Sequence, residues 1–390
     1  MDWRATWARI PPWCASSLPW PASSSWASAV CWPTWCCGRS CPKSRPAFER
    51  PEGPVPCSIP LDDPAEQQQA APALDVIVVS WNVRDWLALC LRSLRQALEN
   101  LPVRARLLVV DNASTDGSVE LVQREFPEVG LLALPENQGF ATAVNQGLRA
   151  LGIGREPGSD AGQKWLLLLN ADTEIVGSAV ADLLACGVAH PEAGVVGPRL
   201  ISPDGTVQSS RRRFPTPATL FWESTVLEQY FPRNRWARRY RMEDQPDDIL
   251  QEVDWLVGAC LLVRARAIAD AGWLDEGYFL YFEELEWCQR VRRAGWRVLY
   301  LPTARVIHHG GKSSEQVPLQ QHLQFQRSKV RYTRHTFGPG LAECLRLFLL
   351  AMYAWKWATE AGKLALGHRP TLRRERMGIY AALLKDGLRA

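Results

Sequence analysis

Asp75-Val-Ile-Val-Val-Ser-Trp81 is a short apolar run of strand length, rich in β-branched residues, and it marks the start of the ordered protein near Leu74. The next segment, Asp85 to Leu98, places Leu87, Cys90, Leu91, Leu94 and Leu98 at helical spacing. Arg106 to Val110 is then a second buried strand, closed by Asp111. Strand, helix and strand in that order make a β-α-β unit.

The alternation continues outward from it. Gly117 to Phe126 reads as a helix, Val129 to Ala133 as a strand, Gln138 to Leu151 as a helix capped by Asn137, and Lys164 to Leu169 as a strand. Strands separated by helices of this length imply an α/β fold with a mostly parallel sheet covered on both faces. In such sheets ligands bind beyond the carboxyl ends of the strands, where Asn82, Asp111 and Asn170-Ala171-Asp172 collect. From Ser202 to Gln251 the chain is loop-rich and basic, with Arg211-Arg-Arg213 and the arginines between Arg233 and Arg241. Two apolar strands follow around Trp255 to Val263, then a helix from Glu283 to Ala294, strands over Arg297 to Tyr300 and Ala304 to His308, and helical sequence from Pro318.

With 390 residues, 47% hydrophobic and 22% charged, the chain can bury a large core, and a formal charge of +4 gives no argument for a nucleic-acid partner. Residues 1–70 hold seven of the 18 Trp and six of the 11 Cys, with Pro11, Pro12, Pro19, Pro21 and Pro33 interrupting any helix. That makes a poor signal peptide, so the segment is expected to be a disordered extension or the product of a start assigned too far upstream. Cys14, Cys31, Cys36, Cys37, Cys41 and Cys57 lack paired Cys-x-x-Cys spacing for a metal. Cys90, Cys186, Cys260, Cys288 and Cys344 stand singly at apolar positions, as buried thiols in a reducing cytoplasm would. No run reaches the roughly 18 apolar residues of a spanning helix. Leu345 to Trp355, with Lys356, Trp357, Leu364 and then Arg373, Arg374 and Arg376, suits a helix lying in a membrane interface, a core-packing helix being the alternative.

Four clusters carry chemistry. After the buried Leu166-Leu-Leu-Leu169, Asn170 and Asp172 present two oxygen ligands, the kind of pair a hard cation bridging diphosphate oxygens takes; a capped turn uses the same residues. Asp111-Asn-Ala-Ser-Thr-Asp-Gly-Ser118 closes a strand on an acid that could accept a uracil or thymine N–H, though Asn112 and Gly117 also build a plain turn. Tyr278-Phe-Leu-Tyr-Phe282 precedes Glu283, Glu284 and Glu286 at a helix start. Acids there suit the helix dipole, and carboxylates against aromatic rings gain the raised pKa of a general base. His308 stands at a strand end before Gly310-Gly311, as a ligand or as a core histidine.

The joint order of these clusters resembles glycosyltransferase family 2, especially its rhamnosyltransferase-like members, over residues 74–315. The match rests on Val79-Ser-Trp-Asn82, Val110 to Ser118, Asn137-Gln-Gly-Phe-Ala141 with Asn145 and Gly147, and Leu169-Asn-Ala-Asp-Thr173. It continues through Gly258 to Arg264, Gly272-Trp-Leu-Asp-Glu276, Phe279 to Arg290, Gly295 and His308-His-Gly-Gly311. The resemblance implies a GT-A, Rossmann-like domain over residues 71–316; the rest, 317–390, is expected from its own sequence to be a helical region that lies at the membrane interface or packs on the domain. It implies a metal-dependent inverting transferase that moves a sugar, rhamnose in this subgroup, from a dTDP- or UDP-linked donor to a glycan or lipid-linked acceptor of a cell-surface polysaccharide. The expected location is the cytoplasm, peripheral to the inner face of the cell membrane.

By the same resemblance Ser80, Asn82, Asp111, Asn137, Gly139, Asn170, Ala171 and Asp172 bind the donor, with Asp111 at the base. Asp172 and His308 hold Mg2+ or Mn2+, and Trp255, Gly258 and Glu283 meet the acceptor. Glu284 is the catalytic base, with Glu283 its rival. The sequence departs from the family at Asn170, where an Asp is usual, and at Glu284 and Glu286, each one methylene longer than Asp. Two other readings stay open. A nucleotidyltransferase would need a Gly-rich basic loop where Trp81 to Trp86 stands, and a catalytically silent sugar- or nucleotide-binding module would keep the fold without turnover.

Overall fold

The structure is a computed structural model that describes residues 57–58, 73–99, 101–154, 164–225, 227–231 and 233–389. The proposed extension over residues 1–70, with its cysteines, lies outside the described residues except for β1 (Cys57–Ser58), which pairs antiparallel with a later strand.

The first half alternates as the spacing predicts: β2 (Ala73–Ser80), α1 (Arg84–Glu99), β3 (Arg104–Asp111), α2 (Ser118–Glu125), β4 (Gly130–Ala133), α3 (Phe140–Leu151) and β5 (Lys164–Asn170). Strands β4, β3, β2 and β5 lie side by side and parallel. The chain moves outward from β2 to β4 and then returns to β2's other side as β5, so the strand order reverses between β2 and β5. That reversal opens a crevice beyond their carboxyl ends. Side chains alternate between two cores: Val76, Val78, Val109, Leu167 and Leu169 face one, Ile77, Leu108, Val110, Leu166 and Leu168 the other. Burial on both sides explains why these strands read as continuous apolar runs. Asp75, buried at the far end of β2, is held by Arg106 in a bidentate pair (2.6 and 2.9 Å) and by Lys164 at 3.4 Å.

The second half adds β6 (Thr173–Val176), α4 (Ala179–Ala189), β7 (Ala193–Ile201), β8 (Arg211–Arg212), α5 (Pro217–Trp222), α6 (Leu227–Tyr230), α7 (Arg235–Tyr240), β9 (Gln251–Val253), β10 (Trp255–Leu256), β11 (Cys260–Arg264), α8 (Ala265–Ala271), α9 (Glu283–Arg293) and β12 (Arg297–His308). Strand β11 enters the sheet antiparallel between β5 and β7, and β12 runs parallel to β7. The sheet is therefore mixed. The two strands expected over 297–308 are one, interrupted by a register shift between Leu301 and Arg305. The basic segment is not bare loop: short helices and the β8–β10 ribbon order it.

Helices α10 (Pro318–Phe337), α11 (Pro339–Ala365) and α12 (Pro370–Asp386) complete the chain. Val330, Tyr332, Leu345, Leu349, Tyr353 and Leu383 join the core that packs the Ile77 face of the sheet. Among the described residues no helix is long and apolar enough to cross a membrane. Of the five scattered cysteines four are buried, but Cys344 is exposed on α11, whose buried face is set by Ala342, Leu345 and Leu349.

Candidate active site

The crevice at the strand reversal is a cavity of ≈ 570 Å³. One wall comes from strand ends and the loops after them: Ser80, Asn112, Asn137, Gly139, Asn170, Ala171 and Asp172. Gly258, Glu283, Glu284 and His308 face it from elsewhere in the fold. Four polar atoms on this surface are buried and without a hydrogen-bond partner: Ser80 Oγ, Asn170 Oδ1, Glu283 Oε2 and Glu284 Oε2. Orphaned buried polar atoms are rare because each costs the desolvation of the group, so four around one cavity mark a place where a polar ligand completes the bonding.

The turns behind the wall are tied by side chains. Asn82 N donates to Ser114 Oγ (2.8 Å), and Asn82 Oδ1 accepts from Thr115 N (2.7 Å). Asp111, 1% exposed, accepts from Ser114 N at 2.8 Å through Oδ1, while its Oδ2 has no partner; burial pushes its carboxyl pKa up. Asn82 and Asp111 thus stand behind the cavity surface. Asn112, a turn former by sequence, does more: its Nδ2 donates to Asn137 Oδ1 (3.0 Å) and Gly139 O (3.2 Å), and its Oδ1 accepts from Gln138 N (2.9 Å). Asn137 does not cap α3 as expected; its Oδ1 accepts from Gly139 N at 3.0 Å and shapes the loop before the helix. Gly139 has φ +84, and a Cβ there would fall 2.4 Å from Phe279 O, so only glycine lets Phe140 N donate to that carbonyl at 2.8 Å.

Asp172 Oδ1 and His308 Nε2 lie 3.5 Å apart, both side chains buried. Gln208 Nε2 donates to His308 O (2.7 Å), so Gln208 Oε1 is the atom facing His308 Nδ1 at 3.0 Å. An amide oxygen only accepts, which puts a proton on Nδ1 and leaves Nε2 to face the carboxylate. Burial alone would raise the Asp172 carboxyl; with no cation bound and Nε2 protonated as well, the hydrogen bond and charge of His308, with the Lys312 N–H at 3.2 Å, hold it below the usual carboxylate range. An ionised carboxylate beside an oriented imidazole fits a divalent cation. Among the described residues no set of three or more His, Cys, Asp or Glu side chains gathers as a metal site, so the rest of the coordination has to come from ligand oxygens and water.

On the opposite element, Tyr281 (φ 67) and Phe282 (φ 70) hold left-handed backbone immediately before α9. The turn they make aims Glu283 and Glu284 into the cavity at the helix N-terminus. Burial raises both carboxyl pKa values, and the neighbouring Glu284 charge lifts Glu283 further, well above the ordinary range. The Gly258 N–H donates to the Glu284 carboxylate, and Gly258 leaves room for it: a Cβ at 258 would touch Glu284 Cβ at 3.4 Å. Glu286 has a different task, pairing with Arg290 (2.8 and 3.0 Å) along the helix. Trp255 lies off the main cavity. It lines a cavity of ≈ 40 Å³ behind Glu284, with its Nε1 donating to Arg213 O at 3.0 Å.

Sequence reasoning had no signal for Gln208, in the basic loop. The run Gln320, Gln321 and Gln324 on α10 also reaches the cavity, and Gln321 donates to Tyr281 Oη at 2.8 Å. Neutral amides at spacing i, i+1 and i+4 on a helix are the trace those residues leave in sequence, and amides suit sugar hydroxyls.

Residues 75–268 match the family described as Glycosyl transferase family 2. Over 250 residues the chain is 36% identical to the N-acetylglucosaminyl-diphospho-decaprenol L-rhamnosyltransferase of Mycobacterium tuberculosis, covering 63% of this chain and 78% of that protein. The rhamnosyltransferase WbbL of Escherichia coli is 35% identical over 83 residues, 20% of this chain and 30% of its own. Among solved structures, the mannosyltransferase PcManGT of Pyrobaculum calidifontis, in complex with GDP-Man and Mn2+, matches at 18% identity and a TM-score of 0.43, over 81% of this chain and 86% of that one.

Proposed function

The chain belongs to glycosyl transferase family 2, in its rhamnosyltransferase-like branch, and from that premise we propose that it moves rhamnose from a dTDP- or UDP-linked donor, with inversion, onto a lipid-linked sugar diphosphate at the inner membrane face. The observation that carries this is the cavity joining Asp172 and His308 on one side to Glu283 and Glu284 on another, with four orphaned polar atoms on its walls, two of them on those glutamates. The Mycobacterium relative's printed acceptor supplies the sugar-diphosphate class.

In the proposed reaction Ser80 Oγ and Asn170 Oδ1 take hydrogen bonds from the donor, and Asp111, behind the wall, fixes the turn beside its base by holding Ser114 N. Asp172 and His308 hold a Mg2+ or Mn2+, which supplies Lewis-acid stabilisation of the charge on the leaving diphosphate. Glu284 takes the proton of the acceptor hydroxyl as that oxygen attacks the anomeric carbon. Glu284 is favoured over Glu283 because its own charge keeps Glu283 protonated: the two share one pocket, and the one stabilised by the Gly258 N–H ionises first. Glu283 then donates a hydrogen bond to a sugar hydroxyl instead of accepting its proton.

Nucleoside-diphosphate release with a panel of donors and Mn2+ tests the activity. Glu284→Gln should lower transfer by about 10²- to 10⁴-fold, with donor affinity unchanged. Transfer near the parent rate would reassign the base to Glu283.

A further inference from the structure

Beside the reaction cleft lies a second cavity, of ≈ 690 Å³, enclosed by the basic segment between β7 and β10. Four guanidinium groups face it, against the carboxylates of Glu243 and Asp247. Arg211 and Arg241 are buried and fixed: Arg211 donates to Gln251 Oε1 (2.9 Å) and Gln245 O (2.8 Å), and Arg241 pairs with Glu228 at 2.8 Å. Asp247 is committed to Arg199 at 2.8 Å. Arg233 and Arg238 are exposed, and among the described residues their guanidinium groups make no hydrogen bond or ion pair. Two buried and two uncommitted arginines around one hollow are the arrangement that a compact multivalent anion satisfies.

Three connections put this hollow against the site, one through His308 and two on the side of Glu284. Gln208 lines it while gripping His308. Strand β8, carrying Arg211, pairs with β10 (Arg211 with Leu256, Arg212 with Trp255), and β10 leads directly into Gly258. Glu228, the partner of Arg241, lines the small cavity behind Glu284. A ligand whose hydroxyl reaches Glu284 therefore has this positive hollow next to it.

We propose that the arginine pocket binds the diphosphate of the acceptor, with Arg233 and Arg238 closing on its oxygens and Arg211 and Arg241 forming a fixed positive floor. This rests on the acceptor class proposed above. The chemistry recognised is a diphosphate, which both acceptor and donor carry, and the test separates them.

Inorganic pyrophosphate binding to the full chain is measured calorimetrically in EDTA, where the cation-dependent Asp172–His308 site is silent. The parent should bind saturably, and Arg233→Ala/Arg238→Ala should bind on the order of ten-fold more weakly. Arg233→Lys/Arg238→Lys should recover part of the loss. Farnesyl diphosphate in EDTA should compete with pyrophosphate, and a nucleotide-sugar donor with Mn2+ should bind the double alanine variant as it binds the parent. No binding in EDTA, or equal binding by parent and variant, overturns the assignment. So does a matching loss of donor affinity, which would give the pocket to the donor, or a loss confined to phosphatidylglycerol vesicles, which would give the arginines to a lipid surface. Because pyrophosphate binding needs no turnover, a failure of all donors to react would remove the proposed function and leave this result separately readable.

Discussion

Two consecutive left-handed residues, Tyr281 and Phe282, cost about 1–3 kcal/mol each, and packing repays them: Phe282 lies 5.5 Å from the Phe325 ring and 5.7 Å from that of Tyr332. What the strain secures is a pair of carboxyl groups in a dry place, with consequences for pH. As the proposed base Glu284 must be ionised, and its pKa is raised, so kcat/KM should fall on the acid side at a pH above the ordinary carboxylate value of 4.5, which a pH–rate profile measures. Stability runs the other way. A carboxyl with a folded pKa above its unfolded one binds more protons when folded, so stability is lost as pH rises from the unfolded pKa through the folded one. Glu283→Gln should therefore raise Tm at pH 7, by roughly 2–4 °C per kcal/mol gained, and leave Tm near its parent value below pH 4. The raised pKa was legible from three acids after an aromatic run. Which acid does what was not, because it depends on the 281–282 turn and on the N–H of Gly258, neither of which leaves a local pattern.

At the scale of elements, β2 to β5 and their helices were legible because each strand is a continuous apolar run between turn formers. Strand β7 was not, since Ala193-Gly-Val-Val-Gly-Pro-Arg-Leu-Ile201 carries the residues of a turn. Packing explains them: a Cβ at Gly194 would lie 2.7 Å from Trp296 Cβ, and one at Gly197 would lie 2.6 Å from Leu256 Cδ1, so these glycines admit neighbours instead of bending the chain. The segment after β7 delivers Gln208 to His308, a contact across 100 positions that no spacing reveals. Gln208→Leu removes both bonds to His308 and frees its ring. It should weaken Mn2+ binding by about 10- to 100-fold, measured by Mn2+ titration in the presence of nucleoside diphosphate. Unchanged affinity would mean that the Gln208 bonds do not position His308 for the cation.

On the scale of the molecule, the last three helices are part of the main core, yet α11 keeps Leu347 and Trp355 (65% exposed) on its solvent side, with Trp357 half-exposed on the opposite flank. The basic half of the expected membrane patch is partly withdrawn, because Arg373 and Arg376 are buried against Glu360. The aromatic half remains available. If it seats the protein on lipid, Trp355→Ser/Trp357→Ser should reduce co-flotation with anionic vesicles by about ten-fold or more while leaving transfer to a soluble acceptor intact. Equal flotation would make α11 a core helix only. The excursion from Ser202 to Leu256 has a further consequence. It leaves the sheet from β7 and returns through β11, and those strands are neighbours, with Val195 beside Val263 and Val196 beside Leu262. The ends of a segment of some fifty residues are thus pinned together by the scaffold, independently of what the segment contains. Closing that segment therefore adds little to the entropy of folding, and insertions between Arg213 and Leu250 should be tolerated, whereas changes that move Gln208 off His308 or β9 off β12 should not.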